Sequence, residues 1–176
     1  RDLHSFPTRR SSDLCRIALD KLKKTYEQDI QEKNIRIIFD YLTLSLMMEV
    51  NVEQFSKVLA GILKNSMYAL LKKSETVTFS PEIFLGLKVN KDMLEITIRD
   101  NGSGIDENIK DKIFAPFFTT KTTGEAAGVG LYLCREIVQN HRGTIEVESK
   151  KGEYTQFLIT IPVYQPKTIT PPKEEE

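Results

Sequence analysis

The spacing of apolar residues divides this chain into helices and strands. Apolar residues recurring at three- and four-residue steps predict one amphipathic helix that ends near residues 33–34, and a second that residues 49–54 lead into. A third helix is predicted over 130–140. Short β-branched or alternating segments between turn residues predict strands. The predicted strands are 35–40, 83–89, 93–99, 143–149 and 155–162.

The order of these elements predicts the fold class. Helix, strand, helix, two strands, long loop, helix and two strands describe an α/β (α+β) two-layer sandwich, with a mixed, largely antiparallel sheet covered on one face by helices. Residues 101–127 show little regular pattern apart from a short helix around 107–113. A loop of this length inside a compact domain is usually functional.

Composition narrows the class of protein. The 176 residues suffice for one domain with a core, and Lys+Arg and Asp+Glu both number 25. This charge balance gives no indication of a nucleic-acid partner. No apolar run approaches the roughly 20 residues of a membrane-spanning helix. The sequence therefore indicates a soluble body. Cys15 and Cys134 lack the spacing of a zinc site, and a buried, reduced Cys134 agrees with a reducing, cytoplasmic setting.

The two ends differ from the body. Residues 1–14 resemble the translation, in one frame, of an adapter used in sequencing libraries, and we expect them to be a non-native leader. The alternative is a disordered basic leader. If the first interpretation holds, the native protein continues upstream. Residues 164–176 are rich in Pro, Thr, Lys and Glu and predict a disordered tail or a cut linker.

Asn65 is the first candidate for site chemistry. It lies one helical turn after Gly61 and one turn before Ala69 on the second predicted helix. Its amide oxygen is a hard donor of the kind that Mg²⁺ prefers. Taken alone, an asparagine at such a position is more often a polar residue in helix packing or on the surface.

Asp100 ends a predicted strand and is followed by Gly102 and Gly104. A carboxylate in this position can accept hydrogen bonds from an exocyclic amine such as that of adenine. The glycines permit positive φ angles and a close approach of the backbone to a ligand. Ordinary turn chemistry is the alternative explanation of Asp-Asn-Gly by itself.

A glycine-rich segment precedes the third predicted helix. Gly128 and Gly130 at this helix start expose backbone N–H groups to an anion such as phosphate, although the same glycines also serve tight packing. In the preceding loop, Lys121 is placed to reach phosphate, and we expect Phe114, Phe117 or both to plug the core. The glycines supply the flexibility of a lid.

As a set, these motifs resemble the N, G1, F and G2 boxes of the ATP-binding catalytic domain of sensor histidine kinases. That group shares a Bergerat-type ATP-binding fold with gyrase, Hsp90 and MutL. The resemblance covers residues 34–163, and residues 15–33 resemble the end of a dimerisation helix and its linker.

The resemblance implies a role for each site residue. Asn65 would coordinate Mg²⁺, Asp100 would hold the adenine amino group, and residues 101–127 would form the ATP lid. Asn65 and Lys121 would be the catalytic residues. The residues implied to contact ATP are Asn65, Ala69, Asp100, Gly102, Gly104, Ile105, Phe114, Thr120, Lys121, Gly128, Val129, Gly130, Leu131 and Thr155.

The resemblance also implies a reaction. The γ-phosphoryl group of ATP would move to a histidine on a dimerisation helix and then to a response regulator. His4 lies in the leader and His141 at a helix end, so we expect the acceptor histidine in a missing upstream segment. The fragment would then be monomeric, the full-length protein a homodimer, and the inner membrane a candidate anchoring site. The alternatives are a nucleotide-binding signalling module without transfer, or a protein serine kinase of the anti-sigma type.

Four positions depart from the family pattern. Gly61 stands where related ATPases carry a glutamate that activates water, which argues against a hydrolytic ATPase. Tyr68 stands where many members have a basic residue near phosphate. Tyr132 replaces a third glycine and is readily accommodated at the helix start. Tyr154 replaces the second glycine of a late motif, and we expect it to alter the adenine wall.

Overall fold

A computed structural model of the protein describes residues 9–10, 24–28, 30–41, 49–121 and 127–163. The expectations for most of the leader, for residues 15–23, for lid residues 122–126 and for the tail 164–176 lie outside these ranges. Helical turns at 24–28 and 30–32 agree with the first predicted helix.

Five strands form the main sheet of the described residues. The strands are β2 (Arg36–Tyr41), β4 (Glu82–Asn90), β5 (Met93–Asp100), β6 (Thr144–Lys150) and β7 (Tyr154–Pro162). Their order across the sheet is β2-β4-β5-β7-β6, and only β2 and β4 run parallel, so the prediction of a mixed, largely antiparallel sheet is confirmed.

A second, very small sheet joins the leader to the body. Strand β1 (Arg9–Arg10) pairs antiparallel with β3 (Glu49–Val50). The leader has no strand periodicity, but two residues of extended backbone suffice for such a bridge, because unpaired backbone groups of any sequence can pair.

Besides the helical turns before β2, three helices of the described residues accompany the main sheet. They are α1 (Val52–Ser74), α2 (Glu107–Lys110) and α3 (Gly130–Asn140). Helix α1 begins at Val52 because the Asn51 side chain accepts hydrogen bonds from the backbone N–H groups of Glu53 and Gln54. Residues 49–50, predicted to lead into this helix, are extended instead.

The core lies between the sheet and the helices on one of its faces. Alternate residues of β5 and β7 point inward, as expected of strands with one buried face. They meet the apolar stripe of α1, and each fully buried side chain of this kind contributes roughly 1.5–3 kcal/mol. The largest fully buried side chains are Phe55, Leu59, Ile62, Leu70, Ile83, Leu94, Ile96, Ile98, Ile159 and Ile161.

The alternation along β7 also places neighbouring side chains on opposite faces of the sheet. Thr155 is buried, whereas the ring of Tyr154 lies under the Arg99 guanidinium, 4.2 Å from it, and its hydroxyl donates to Glu148. These partners lie on the sheet face opposite the core. The expectation that Tyr154 alters the adenine wall is therefore wrong.

Candidate functional site

A cavity of about 560 Å³ lies between α1, the end of β5, the start of β7 and the loop before α3. It brings together twelve of the fourteen residues predicted to contact a nucleotide. These are Asn65, Ala69, Asp100, Gly104, Ile105, Thr120, Lys121, Gly128, Val129, Gly130, Leu131 and Thr155.

The other two predicted residues, Gly102 and Phe114, lie behind the cavity wall. The backbone N–H of Gly102 donates to the Asp100 carboxylate at 3.0 Å, and a Cβ at Gly102 would lie 2.7 Å from the Ala69 carbonyl carbon. Phe114 is buried edge-to-face against Phe157, with ring centroids 6.3 Å apart. Phe114 therefore plugs the core, while Phe117 is 78% exposed.

Asp100 supplies the deep end of the cavity with a buried carboxyl group. Burial raises its pKa from 3.8 to about 6, and the Ser66 hydroxyl, the N–H groups of Gly102 and Thr155, and the Lys73 charge oppose this rise. The carboxyl is thus held among donors in a nearly dry place. This is the chemistry of a group that recognises an amine.

Ser66 lies beside this carboxyl. Its hydroxyl influences the pKa of Asp100, yet its Oγ is buried without a partner at good hydrogen-bond geometry among the described residues. Buried polar groups are normally paired, so this hydroxyl marks a place for a ligand atom or a water molecule.

The turn between β6 and β7 closes one wall of the cavity. The N–H of Gly152 donates to the Ser103 carbonyl at 2.7 Å, and Lys151 pairs with Asp106 at 2.7 Å. Gly104 has φ 64°, and a Cβ there would lie 2.2 Å from the Lys150 carbonyl oxygen. Only glycine fits this crossing, so the positive φ that both glycines were expected to permit is found at Gly104 but not at Gly102.

A hydroxyl network stands behind the same wall. Ser149 Oγ accepts a hydrogen bond from the backbone N–H of Ile105 at 2.8 Å and donates to the Tyr154 carbonyl at 2.7 Å. Thr155 Oγ1 lies 3.2 Å from the same oxygen. Ser149 itself is not part of the cavity lining.

The opposite end of the cavity is the start of α3. Gly128 has φ 69°, a Cβ there would lie 2.5 Å from the Phe117 carbonyl carbon, and the space beside Gly130 is open. The N-cap residue Val129 provides no side-chain acceptor, so as far as the described residues show, the first N–H groups of α3 can receive an anion. Lys64, Lys72, Lys121 and Lys151 add positive charge around this cavity.

Asn65 and Lys121 meet at the side of the cavity. Lys121 Nζ donates to Asn65 Oδ1 at 3.2 Å and lies 4.4 Å above the Tyr68 ring. A cation thus stands at the amide oxygen that was predicted to bind Mg²⁺. The described residues contain no group of three His, Cys, Asp or Glu side chains fit to hold a metal. A Mg²⁺ ion would rest on Asn65 with water and ligand oxygens, an arrangement that suits this ion.

Several lining residues were not predicted. Ser66 adjoins Asn65 and lies three residues before Ala69, so helical spacing could have placed it on the same side of the helix as the predicted residues. The lining by Lys72, Asp106 and Lys151 depends on how the β6–β7 turn and the lid meet α1, which no local pattern reveals.

His141 has a structural role. Its Nε2 accepts from the Asn51 N–H at 3.0 Å, and its Nδ1 lies 2.7 Å from the Ile137 carbonyl oxygen. Both ring nitrogens are engaged, so His141 joins the end of α3 to the start of α1.

Comparison with known proteins gives this geometry a context. Residues 51–165 match the family described as histidine kinase-, DNA gyrase B-, and HSP90-like ATPase. Cyanobacterial phytochrome A of Nostoc sp. is 35% identical over 149 residues, which are 83% of this chain and 18% of that protein. Sensor histidine kinase AtsR of Burkholderia thailandensis is 33% identical over 149 residues, 80% of this chain and 24% of the relative. The chain therefore spans less than a third of the length of these relatives.

Solved structures show the same fold. The catalytic domain of histidine kinase ThkA superposes with a TM-score of 0.71 at 27% identity, covering 84% of this chain and 91% of that one. Full-length ShkA in complex with AMPPNP superposes with a TM-score of 0.75 at 15% identity, covering 94% of this chain and 33% of that one, which supports the fold alone.

Within the described ranges, none of the helices combines the length and the apolar character needed to cross a bilayer. The two-layer architecture and the family match cover the same part of the chain. This chain belongs to the histidine kinase-, DNA gyrase B- and HSP90-like ATPase family.

Proposed function

We propose that this chain is the catalytic domain of a sensor histidine kinase, which binds Mg²⁺–ATP and transfers the γ-phosphoryl group to a histidine of a dimerisation helix. The observation that carries this proposal is one cavity with a buried carboxyl, Asp100, at one end and the uncapped start of α3 at the other. Relatives named as sensor histidine kinases support the same reaction class.

The cavity residues divide by the part of ATP that each would meet. Asp100 would accept a hydrogen bond from the adenine amino group, and Ala69, Ile105 and Thr155 would form the walls of the base pocket. Gly104 would shape that pocket by letting the β6–β7 turn approach.

The phosphate end has its own set of residues. The N–H groups at the start of α3, the open space beside Gly130 and the Lys121 ammonium would hold the triphosphate. Thr120, Val129 and Leu131 border the same space. Positioning of this kind provides most of the catalysis in phosphoryl transfer.

Asn65 would hold the Mg²⁺ ion through its amide oxygen. When bound, this ion neutralises charge on the phosphate oxygens. The contact between Lys121 and Asn65 supports the assignment, because this amide oxygen already accepts from one cation. Lys121 would then be released to the phosphates.

The phosphoacceptor would come from outside the described body. His141 is engaged at both ring nitrogens, which makes it unsuitable as an acceptor. We propose that residues 34–163 form the catalytic domain and residues 15–33 the end of the dimerisation helix. A full-length homodimer, a response regulator as the next acceptor and anchoring in the inner membrane belong to the same proposal.

Transfer of labelled phosphate tests this function. The full chain is incubated with Mg²⁺ and ATP labelled at the γ-phosphate, together with a purified dimerisation helix from a sensor histidine kinase. We expect acid-labile, alkali-stable label on the helix, as phosphohistidine requires. The matched controls are an acceptor helix with its histidine replaced by glutamine and the Asn65→Ala variant of this chain, and neither should give label.

Other outcomes separate the competing functions. Acid-stable label on a serine would indicate a protein serine kinase. Saturable ATP binding in calorimetry, with no label on helices from several relatives, would contradict transfer and indicate a nucleotide-binding module.

A further inference from the structure

We infer that Ser149, a residue outside the cavity lining, makes the site select a 6-amino purine by fixing the direction of the Thr155 hydroxyl. This inference rests on the proposed nucleotide site. It adds a positioning residue that the sequence motifs did not single out.

The argument begins with the single proton of Ser149. A backbone carbonyl only accepts hydrogen bonds, so at 2.7 Å from the Tyr154 carbonyl the Ser149 hydroxyl must be the donor. One lone pair of Ser149 Oγ is then taken by the Ile105 N–H at 2.8 Å. Only one acceptor position remains on this oxygen.

Thr155 fills that position. Its Oγ1 lies 3.2 Å from Ser149 Oγ, and Ser149 has no second proton to give. The Thr155 hydroxyl therefore donates its only proton to Ser149, away from the cavity. Toward the cavity, the Thr155 hydroxyl oxygen can therefore only accept a hydrogen bond.

This orientation leaves the Thr155 side chain as a second acceptor beside Asp100 at the deep end of the cavity. The Asp100 carboxylate, in register with Thr155 on the neighbouring strand, also accepts hydrogen bonds when ionised. An exocyclic amine satisfies such a pair of acceptors, while a 6-oxo group places a third acceptor against them. Leaving buried polar groups unpaired is what makes a site of this kind selective.

The test compares ATP with inosine triphosphate, which carries an oxo group in place of the 6-amino group. Calorimetry gives the ratio of their dissociation constants for the full chain and for Ser149→Ala. In the variant, the Thr155 proton is free to turn and donate to the oxo group. We expect the preference for ATP to fall about tenfold, the size of effect of one buried hydrogen bond.

Ser149→Thr is the matched control, because it keeps a hydroxyl and should keep the wild-type ratio. Loss of the Ile105 contact in Ser149→Ala weakens both nucleotides alike and leaves the ratio unaffected. An unchanged ratio in a folded Ser149→Ala variant would thus overturn the inference. If that variant does not fold, Thr155→Val provides the test, because removing the acceptor should also lower the preference for ATP over inosine triphosphate. A wild-type preference in Thr155→Val would contradict the inference.

Failure of the proposed function has a different signature. A folded wild-type chain that binds neither nucleotide removes the nucleotide site, and this inference with it. A chain that binds ATP but shows no dependence of the ratio on Ser149 leaves the site in place and overturns only the role of Ser149.

Discussion

At the scale of single residues, Asp100 shows how the fold holds a carboxyl group ready for a ligand. The group ends β5, is 2% exposed and accepts from the Gly102 N–H. Burial opposes its ionised form more strongly than the neighbouring donors and Lys73 favour it, so its pKa rises to about 6. An amine bound to this group would stabilise the ionised form.

The pKa of Asp100 makes stability depend on pH. In the folded chain it is raised from 3.8 to about 6, so the folded chain binds this proton more tightly than the unfolded chain. The resulting contribution to stability is present in full below pH 3.8 and is lost as the pH rises through about 6. At about 1.4 kcal/mol for each pKa unit, it amounts to about 3 kcal/mol.

Asp100→Asn cannot ionise and should lack this loss. Urea unfolding of both proteins from pH 4 to pH 8 gives the free energy of unfolding of each. We expect the wild type to lose stability relative to the variant by about 2.5 kcal/mol over this range, most of the full contribution. A difference that stays constant with pH would contradict the assignment.

The same group should make ATP binding depend on pH. Below a pH of about 6, protonated Asp100 loses its charge as an acceptor for the adenine amino group. We expect the dissociation constant for ATP to rise by up to about tenfold for each pH unit below this value. Calorimetry between pH 5 and pH 8 measures it, and Asp100→Asn reports the titration of the nucleotide itself as the baseline.

At the scale of elements, the close approach of α1 and α3 explains Gly61. A Cβ at this position would lie 2.9 Å from Cys134 Sγ, whose thiol donates to the Val58 carbonyl at 3.6 Å. Burial also raises the pKa of the Cys134 thiol to about 11. The absence of a larger side chain at residue 61 thus follows from helix packing as well as from the chemistry of the site.

A double-mutant cycle tests this packing. Gly61→Ala should crowd Cys134 in the wild type, at a cost of about 1–3 kcal/mol that offsets the higher helix propensity of alanine. In a Cys134→Ala background the same change should stabilise α1 by about 0.5–1 kcal/mol. Denaturant unfolding of the four proteins gives the coupling energy, and additive effects would show that the two residues do not constrain each other.

At the scale of the whole molecule, one continuous core connects the sheet to α1 and α3. The β6–β7 turn extends this body to the start of the lid through the Gly152–Ser103 hydrogen bond and the Lys151–Asp106 ion pair. Sheet and cavity wall therefore form one unit.

We expect the chain to be monomeric, because the dimer contacts of the proposed kinase belong to its dimerisation helices. Light scattering during gel filtration should give a mass near 20.2 kDa. A stable species of twice that mass at micromolar concentration would show that the catalytic body itself carries a dimer interface.

The predicted elements agree with the structure wherever a local pattern reflects burial. All five strands of the main sheet and α3 lie within one residue of their predicted bounds, because alternation and helical spacing record which face meets the core. The parallel pairing of β2 with β4 was not predicted, since it depends on how the chain crosses between them.

The site residues that lie in local motifs were predicted, and those that depend on contacts between distant parts of the chain were not. Asn65 and Asp100 were identified from motifs, and the structure brings them to one cavity. Phe114 and Phe117 share one aromatic loop, and no local pattern shows that Phe114 is buried against Phe157 while Phe117 is exposed. Ser149 was missed because its importance lies in a proton shared between strands.

The contact of Lys121 with Asn65 has a consequence for the kinetics of loading. Since the amide oxygen already accepts from an ammonium group, binding of the proposed Mg²⁺ ion would exchange one cation for another. The cation–π contact with Tyr68 adds to what must be given up before that exchange. Tyr68 would therefore influence how fast Lys121 gives way to that ion.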